Sequence, residues 1–236
     1  MRILKIALII ICVLLTQMSF ARKVQKYDYL YKDLPFAMSK IQKPVFPNYS
    51  VSVTECGGVG DGITLNTKAF AEAMSRLSVK GGGTLLVPYG VWFTGPIEFK
   101  SNVNLHLEKG AIIIFTPDVN AYPLVKTSFE GLETRRCQSP ISGKNLTNIA
   151  ITGQGAINGS GEHWRPLKKA KVTESHWKSV VKSGGMLKTP DYWVPGVAHI
   201  KGEAMSDKNL NVPRQELTSE QWDSLKLFLR PVMVSF

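Results

Sequence analysis

Short apolar runs separated by glycine, proline and asparagine dominate the chain after its first third. Six of them span residues 84–87, 91–94, 97–99, 103–107, 111–115 and 149–152. Runs of this length between turn-forming residues predict short β-strands. The connections between residues 103 and 115 are too short for a crossover helix, which disfavours a doubly wound sheet. An antiparallel sandwich remains open from spacing alone.

One segment ahead of these runs has helical periodicity. Apolar residues recur there at i, i+3, i+4 and i+7, at Phe70, Ala73, Met74 and Leu77. With Asn66 or Thr67 as the N-cap, they predict one amphipathic helix of about three turns that ends at the glycines of residues 80–83. Upstream, residues 49–53 alternate like a strand and residues 57–62 form a glycine-rich turn.

A faint repeat favours stacking of the strands into coils. Residues 109–112 recur as residues 154–157, so Gly155 follows Gly110 by 155 − 110 = 45 residues. We interpret this interval as two coils of a solenoid, whose units span ~20 to 45 residues. The pattern therefore favours an all-β parallel β-helix, with the helix capping the open apolar end of the first coil.

The strand pattern is lost over residues 162–217, which we interpret as an inserted loop region within a domain of residues 51–236. Its aromatic residues could form sugar-stacking platforms, but for each of them packing beneath the loop is the favoured interpretation: Trp164, Trp177, Tyr192 and Trp193. Residues 218–221 form a capping box that predicts a short helix. The chain then ends in an apolar strand, residues 232–236, with no neighbouring strand to pair against, so we expect a domain truncated at its C-terminus.

The N-terminus has the features of a secretory signal peptide. Arg2 and Lys5 precede an uncharged apolar run over residues 6–20, and Ser19 and Ala21 are small residues at a cleavage site. The run is shorter than the ~20 residues of a spanning helix, so we expect cleavage after Ala21 and no stable membrane insertion. Residues 22–50 are then an extended lead-in, and the mature protein is secreted or periplasmic.

The net charge narrows the class of ligand, and the cysteines leave the disulfide pairing open. The formal net charge of +11 favours polyanions, and acidic polysaccharide fits export better than nucleic acid does, because no tract interleaves arginine with aromatic residues. We expect a monomer. Cys56 and Cys137 would remain after signal cleavage, and both a disulfide and two free thiols stay open.

No catalytic, cofactor-binding or metal-binding residue is assigned to this chain. Its histidines and cysteines lack metal-ligand spacing, and no Gly-x-Ser-x-Gly elbow occurs. Asp118 and Glu162 are isolated acids in turns, where a solvated role is the usual one.

Several segments occur in an order that resembles glycoside hydrolase family 28, the polygalacturonase family. They are residues 56–62, 66–70, 81–90, 101–107 and 153–164, with Arg230 and Pro231 similar to the entry to later coils. The glycine turn and the helix are shared across the wider pectate-lyase-like β-helix superfamily, whereas residues 153–164 are more specific to the hydrolases. The resemblance implies a right-handed parallel β-helix.

The resemblance also implies inverting hydrolysis of galacturonan-type pectin, by carboxyl groups on later coils of the family. Its Asn-Thr-Asp, Asp-Asp, Gly-His-Gly and Arg-Ile-Lys motifs do not occur here: Asn66 and Thr67 are followed by Lys68, and His106, His163, His176 and His199 lack flanking glycines. We therefore expect an N-terminal fragment that is inactive by itself. The alternatives are a calcium-dependent β-helix pectate lyase and a non-catalytic exported polysaccharide-binding β-helix.

Overall fold

The computed structural model describes residues 28–206, 211–214 and 216–236. The chain divides into two units, residues 1–43 and 44–236. In the first unit a 3-10 turn, Asp28–Tyr31, is followed by residues 32–43 without helix or strand. The predicted signal peptide, residues 1–21, lies outside the described residues.

Strands of the second unit form three parallel sheets. The first sheet contains, in spatial order, β1 (Ser50–Ser52), β2 (Gly83–Val87), β5 (Val103–Leu107) and β10 (Ala150–Gly153). The second sheet contains β3 (Gly90–Thr94), β6 (Ala111–Phe115) and β11 (Ala156–Asn158). The third contains β4 (Ile97–Glu98), β9 (Ile141–Ser142) and β15 (Val234–Ser235). Because the chain visits the three sheets in turn, the fold is a parallel β-helix and the antiparallel sandwich is excluded.

Alternate residues of β2, β3, β5 and β6 are buried in the core. Leu85 pairs with Leu105, and Trp92 pairs with Ile113, and all four side chains are buried. Burying an aliphatic or aromatic side chain of this size contributes about 1.5–3 kcal/mol each. The pairing therefore stacks apolar side chains of successive coils on one another along the inside of the β-helix.

The helix α1 (Thr67–Val79) confirms the predicted amphipathic segment, and its apolar face is part of the same core. Asn66 precedes it, but its side chain does not cap the helix. The amide instead accepts from Val59 N and donates to Phe93 O, while Thr67 Oγ1 accepts from Gly95 N. These bonds fasten the helix to β3 and to the glycine-rich turn.

The number of residues between paired strands of neighbouring coils differs from sheet to sheet. Partners in the first two coils are 20 residues apart in the first sheet (Thr84 and Asn104) but 141 − 97 = 44 apart in the third (Ile97 and Ile141). In the next coil the third-sheet interval grows further, since Val234 pairs with Ile141 and 234 − 141 = 93. Nearly all of the extra residues lie between the second and third sheets.

This geometry corrects the interpretation of the repeat. Ala156 pairs directly with Ile112, so residues 109–112 and 154–157 lie in adjacent coils and not two coils apart. The interval is long because an insertion within one coil doubles its length.

The chain leaves the coil twice at this corner. The first excursion, residues 116–140, contains an antiparallel hairpin of β7 (Leu124–Phe129) and β8 (Leu132–Cys137). The second, residues 159–233, is called the side lobe below, and the predicted insertion of residues 162–217 lies within it. It contains the antiparallel strands β12 (Leu167–Lys168), β13 (Met186–Thr189) and β14 (Tyr192–Val194), and the helices α2 (Glu174–Lys182), α3 (Val197–Met205) and α4 (Ser219–Ser224).

Two details of the C-terminal part bear on the sequence predictions. The capping box is confirmed, because Thr218 and Gln221 exchange both of its hydrogen bonds. The expectation that the last strand lacks a neighbour is wrong, since Val234 and Ser235 pair with β9. No helix in the described segments is long and apolar enough to cross a bilayer.

The close stacking of coils is testable at Gly153. Its φ is +103°, and a Cβ there would lie 1.9 Å from Leu107 O, whereas Gly131, with φ of +81°, has open space around it. We expect Gly153→Ala to lower the free energy of unfolding by about 3 kcal/mol or more through strain and overlap. Gly131→Ala should cost about 1 kcal/mol, from backbone strain alone. Urea denaturation of both variants measures the difference, and equal losses would contradict this account.

Candidate functional site

The hairpin and the side lobe are joined through β8. Arg136 Nε donates to Arg230 O at 2.9 Å, and Cys137 N donates to Leu229 O at 2.9 Å. The guanidinium of Arg136 also lies 3.9 Å from the centroid of the Phe129 ring, on the partner strand. The two excursions therefore form one continuous projection beside the third sheet.

Buried polar contacts fix the base of this projection. Tyr122 OH donates to Thr116 O at 2.7 Å, and the Tyr122 ring meets Trp164 edge to face with centroids 5.2 Å apart. Ser160 Oγ donates to Phe115 O at 2.6 Å where the side lobe leaves the coil. Since each donor is buried, loss of any of these bonds would leave an unsatisfied carbonyl.

A cleft of about 500 Å³ lies between the hairpin and the outer face of the third sheet. This volume falls within the range of small-molecule sites. One wall is β7, and the floor is made by outward-facing residues of the third sheet. Its lining includes Glu98, Lys126, Phe129, Arg136, Gln138, Ser139, Ser142, Lys144 and Ser235.

The cleft is positively charged. Lys126 and Lys144 are exposed at its sides, and Arg136 is buried, with 4% of its surface accessible. Glu98 is the carboxylate among the described lining residues, and its Oε1 lies 2.7 Å from Lys100 Nζ, outside the lining. One compensated acid and three cations make the cleft suited to an anionic ligand.

Sequence reasoning did not find this cleft or its cations. The hairpin had one indication in the sequence, the glycine of the Glu130–Gly131 pair, because this two-residue turn has positive φ at both positions. The cations had none, since Lys126, Arg136 and Lys144 occur in no recognised motif.

The aromatic residues of the side lobe serve packing, as predicted. Trp164, Trp177 and Trp193 are each less than 8% exposed, and Tyr192 is half-buried. Trp193 Nε1 donates to Gly184 O at 2.8 Å, which fixes its ring beneath β13. None of these three tryptophans offers a free ring face for stacking on a sugar.

The histidines and isolated acids are dispersed. His106 Nδ1 lies 2.8 Å from Thr152 Oγ1 on the outside of the first sheet, and His163 and His176 are exposed. Asp118 Oδ1 accepts from Asn120 N in a 3-10 turn, and Glu162 is exposed. Over the described residues, no three His, Cys, Asp or Glu side chains are arranged to hold a metal ion.

The two described cysteines are free thiols, which resolves the alternative left open by the sequence. Cys137 is buried, and burial raises its pKa to about 12. Cys56 is half-buried and ends the 3-10 turn Val53–Cys56. The hairpin is therefore held by the contacts described above and not by a disulfide between these residues.

His199 is the buried histidine of the side lobe, on α3. Its Nδ1 has no hydrogen-bond partner among the described residues and lies 3.5 Å from Glu203 Oε1. Glu203 accepts from Tyr192 OH at 3.1 Å and contacts the Lys188 ammonium. Burial lowers the pKa of His199, against the opposing effect of Glu203, so the neutral ring is favoured in the folded lobe.

The comparisons with known proteins agree with this fold. The chain is 41% identical over 125 residues to a probable polygalacturonase of Vitis vinifera, which covers 49% of this chain and 26% of that protein. It is 32% identical over 129 residues to an exo-poly-alpha-D-galacturonosidase of Dickeya chrysanthemi, covering 51% of this chain and 21% of that protein. The crystal structure of a Thermotoga maritima exopolygalacturonase superposes with a TM-score of 0.50 at 32% identity, over 66% of this chain and 39% of that one.

The resemblance to the polygalacturonase family is confirmed. No family model matches the chain. The polygalacturonase-like chain spans about a quarter of the length of the curated relatives it matches. The cleft lies on its third sheet, beside the two excursions.

The buried His199 predicts a pH dependence of stability. Its folded pKa lies below the ordinary value of about 6.5, so the unfolded state binds the proton more readily as the pH falls. We expect the free energy of unfolding to fall from pH 7 to pH 5, by up to about 1.4 kcal/mol per unit of pKa difference. Denaturant titrations at both pH values measure it.

The matched control is the exposed His176. His199→Gln should flatten the dependence over this pH range, and His176→Gln should leave it unchanged. A pH dependence that survives in His199→Gln would show that other groups cause it.

Proposed function

We propose that this chain forms the N-terminal coils of a secreted glycoside hydrolase that cleaves galacturonan-type pectin with inversion. The observation that carries the proposal is the 41% identity to a probable polygalacturonase over 125 residues, 49% of this chain. The positively charged cleft on the third sheet supports it, because pectin backbones are polyanions. Export through a signal peptide cleaved after Ala21 would bring the enzyme to a cell-wall substrate.

The catalytic carboxyl groups are proposed to lie outside these residues. An inverting hydrolase needs two carboxyl groups ~6.5–9.5 Å apart, one as acid and one as base. The described lining of the cleft includes one carboxylate, Glu98, which is already paired with Lys100. Further coils stacked on β10, β11 and β15 would extend the third sheet and supply the pair.

The contribution of these coils to the enzyme is then structural and electrostatic. The helix α1 closes the first coil, and the hairpin and side lobe form one wall beside the third sheet. A wall of this kind restricts where a polysaccharide chain can lie. The cations that line the cleft attract the substrate before any bond is cleaved.

The proposal is tested by reading the DNA downstream of the codon for Phe236 and by assaying any longer protein that it encodes. We expect clustered aspartates on successive coils, and release of reducing ends from polygalacturonate with the opposite anomer formed first, as seen by proton NMR. The 236-residue chain alone should release none. Hydrolysis by the purified 236-residue chain would contradict the placement of the catalytic groups.

Two results would contradict the proposed activity itself. Unsaturated products that absorb in the ultraviolet and vanish on calcium chelation would identify a lyase. Retention of polygalacturonate without cleavage by the longer protein would identify a binding module.

A further inference from the structure

Arg136 is a buried cation without an acidic partner among the described residues. Its surface is 4% exposed, and no described carboxylate lies within 4.0 Å of its guanidinium. A charge removed from water in this way costs several kcal/mol unless a counter-charge or full hydrogen bonding offsets it. This side chain is therefore unusual within the fold.

The contacts that it does make hold the guanidinium in place without neutralising it. Nε donates to Arg230 O, and Nη1 donates to Asn211 O at 3.2 Å, while Phe129 covers one face. Two carbonyl acceptors use two of the five N–H groups of an arginine. Burial, together with the nearby charge of Arg230, lowers the pKa of Arg136 to about 10, which is the effect of a cation short of counter-charge.

The same side chain lines the cleft. Lys126 on β7 and Lys144 after β9 line it too, so cations approach from the hairpin and from the third sheet. Gln138, Ser139 and Ser142 add amide and hydroxyl groups between them. A buried guanidinium held by two carbonyl groups, with exposed lysines and neutral donors around it, is an arrangement suited to a planar carboxylate.

We propose that this cleft binds the carboxylate of a uronic acid residue, with Arg136 as its buried anchor and Lys126 and Lys144 as the outer cations. The anion site follows from the geometry alone. The identity of the sugar rests on the proposed function. The site would recognise the charged group of one residue of the polymer and would cleave no bond.

The test measures the binding of α-1,4-trigalacturonate to the full 236-residue chain by calorimetry and by chemical-shift changes in NMR. The methyl ester of the same trisaccharide is the matched ligand, because it lacks the charge and keeps the sugar. We expect the ester to bind at least ~10-fold more weakly. Equal affinity for the acid and the ester would overturn the proposal.

Substitution of the outer cations tests the residues without disturbing the core, because both are exposed. Lys126→Met and Lys144→Met should each weaken binding ~3-fold or more. Lys109→Met removes the same charge from an exposed turn that does not line the cleft and should leave binding unchanged. A loss of the same size in Lys109→Met would indicate only a general charge effect and would overturn the assignment.

Arg136 itself is tested by Arg136→Lys, which keeps the charge and loses the planar fork. We expect weaker trigalacturonate binding in a variant whose circular dichroism matches the parent. Unchanged affinity in the folded variant would contradict its role as anchor.

Two further outcomes separate this inference from others. Tighter binding of galactose 4-sulfate than of galacturonate would overturn the choice of carboxylate. If the longer protein hydrolyses polygalacturonate but Lys126→Met and Lys144→Met bind normally, the cleft assignment alone fails. If the cleft binds trigalacturonate as expected and the longer protein cleaves nothing, the proposed function alone fails.

Discussion

Every coil of this protein must return to the hydrogen-bonding register of the coil before it. The backbone groups of β5 are paired with β2 on one side and with β10 on the other, so a strand that lost its register would leave buried donors and acceptors without partners. The same register places Leu85 above Leu105 inside the helix. Pairing and core packing are thus satisfied by one condition, and an insertion is tolerated only where neither is interrupted.

The corner between the second and third sheets meets that condition. In the first coil it is a short turn at Gly95, held by Thr67 Oγ1, and in the next two coils it opens into the hairpin and the side lobe. Because both excursions leave from the same corner of successive coils, they lie side by side and become a single wall. The cleft exists because that wall stands next to the outer face of the third sheet.

The regular part of the fold could be predicted from the sequence, since its period is local. The helix around Phe70 and the strands at residues 103–107 and 111–115 follow from apolar spacing that any single segment displays. Coil number could not be counted in this way, because the hairpin lengthens one coil without changing the strands around it. The cleft was also beyond local reasoning, since Lys126 and Arg136 approach Lys144 only once the hairpin has folded beside β9.

Because both insertions leave from one corner, the residues that build the coils are separate from most of the residues that line the cleft. The strands and α1 keep their spacing whatever length of chain leaves between β6 and β9, so the wall can lengthen, shorten or change composition while the spiral beneath it stays intact. Ligand preference in such an architecture can therefore diverge quickly between relatives that share nearly superposable scaffolds. Comparisons restricted to the strands would record that scaffold and overlook the region in which the proteins differ most.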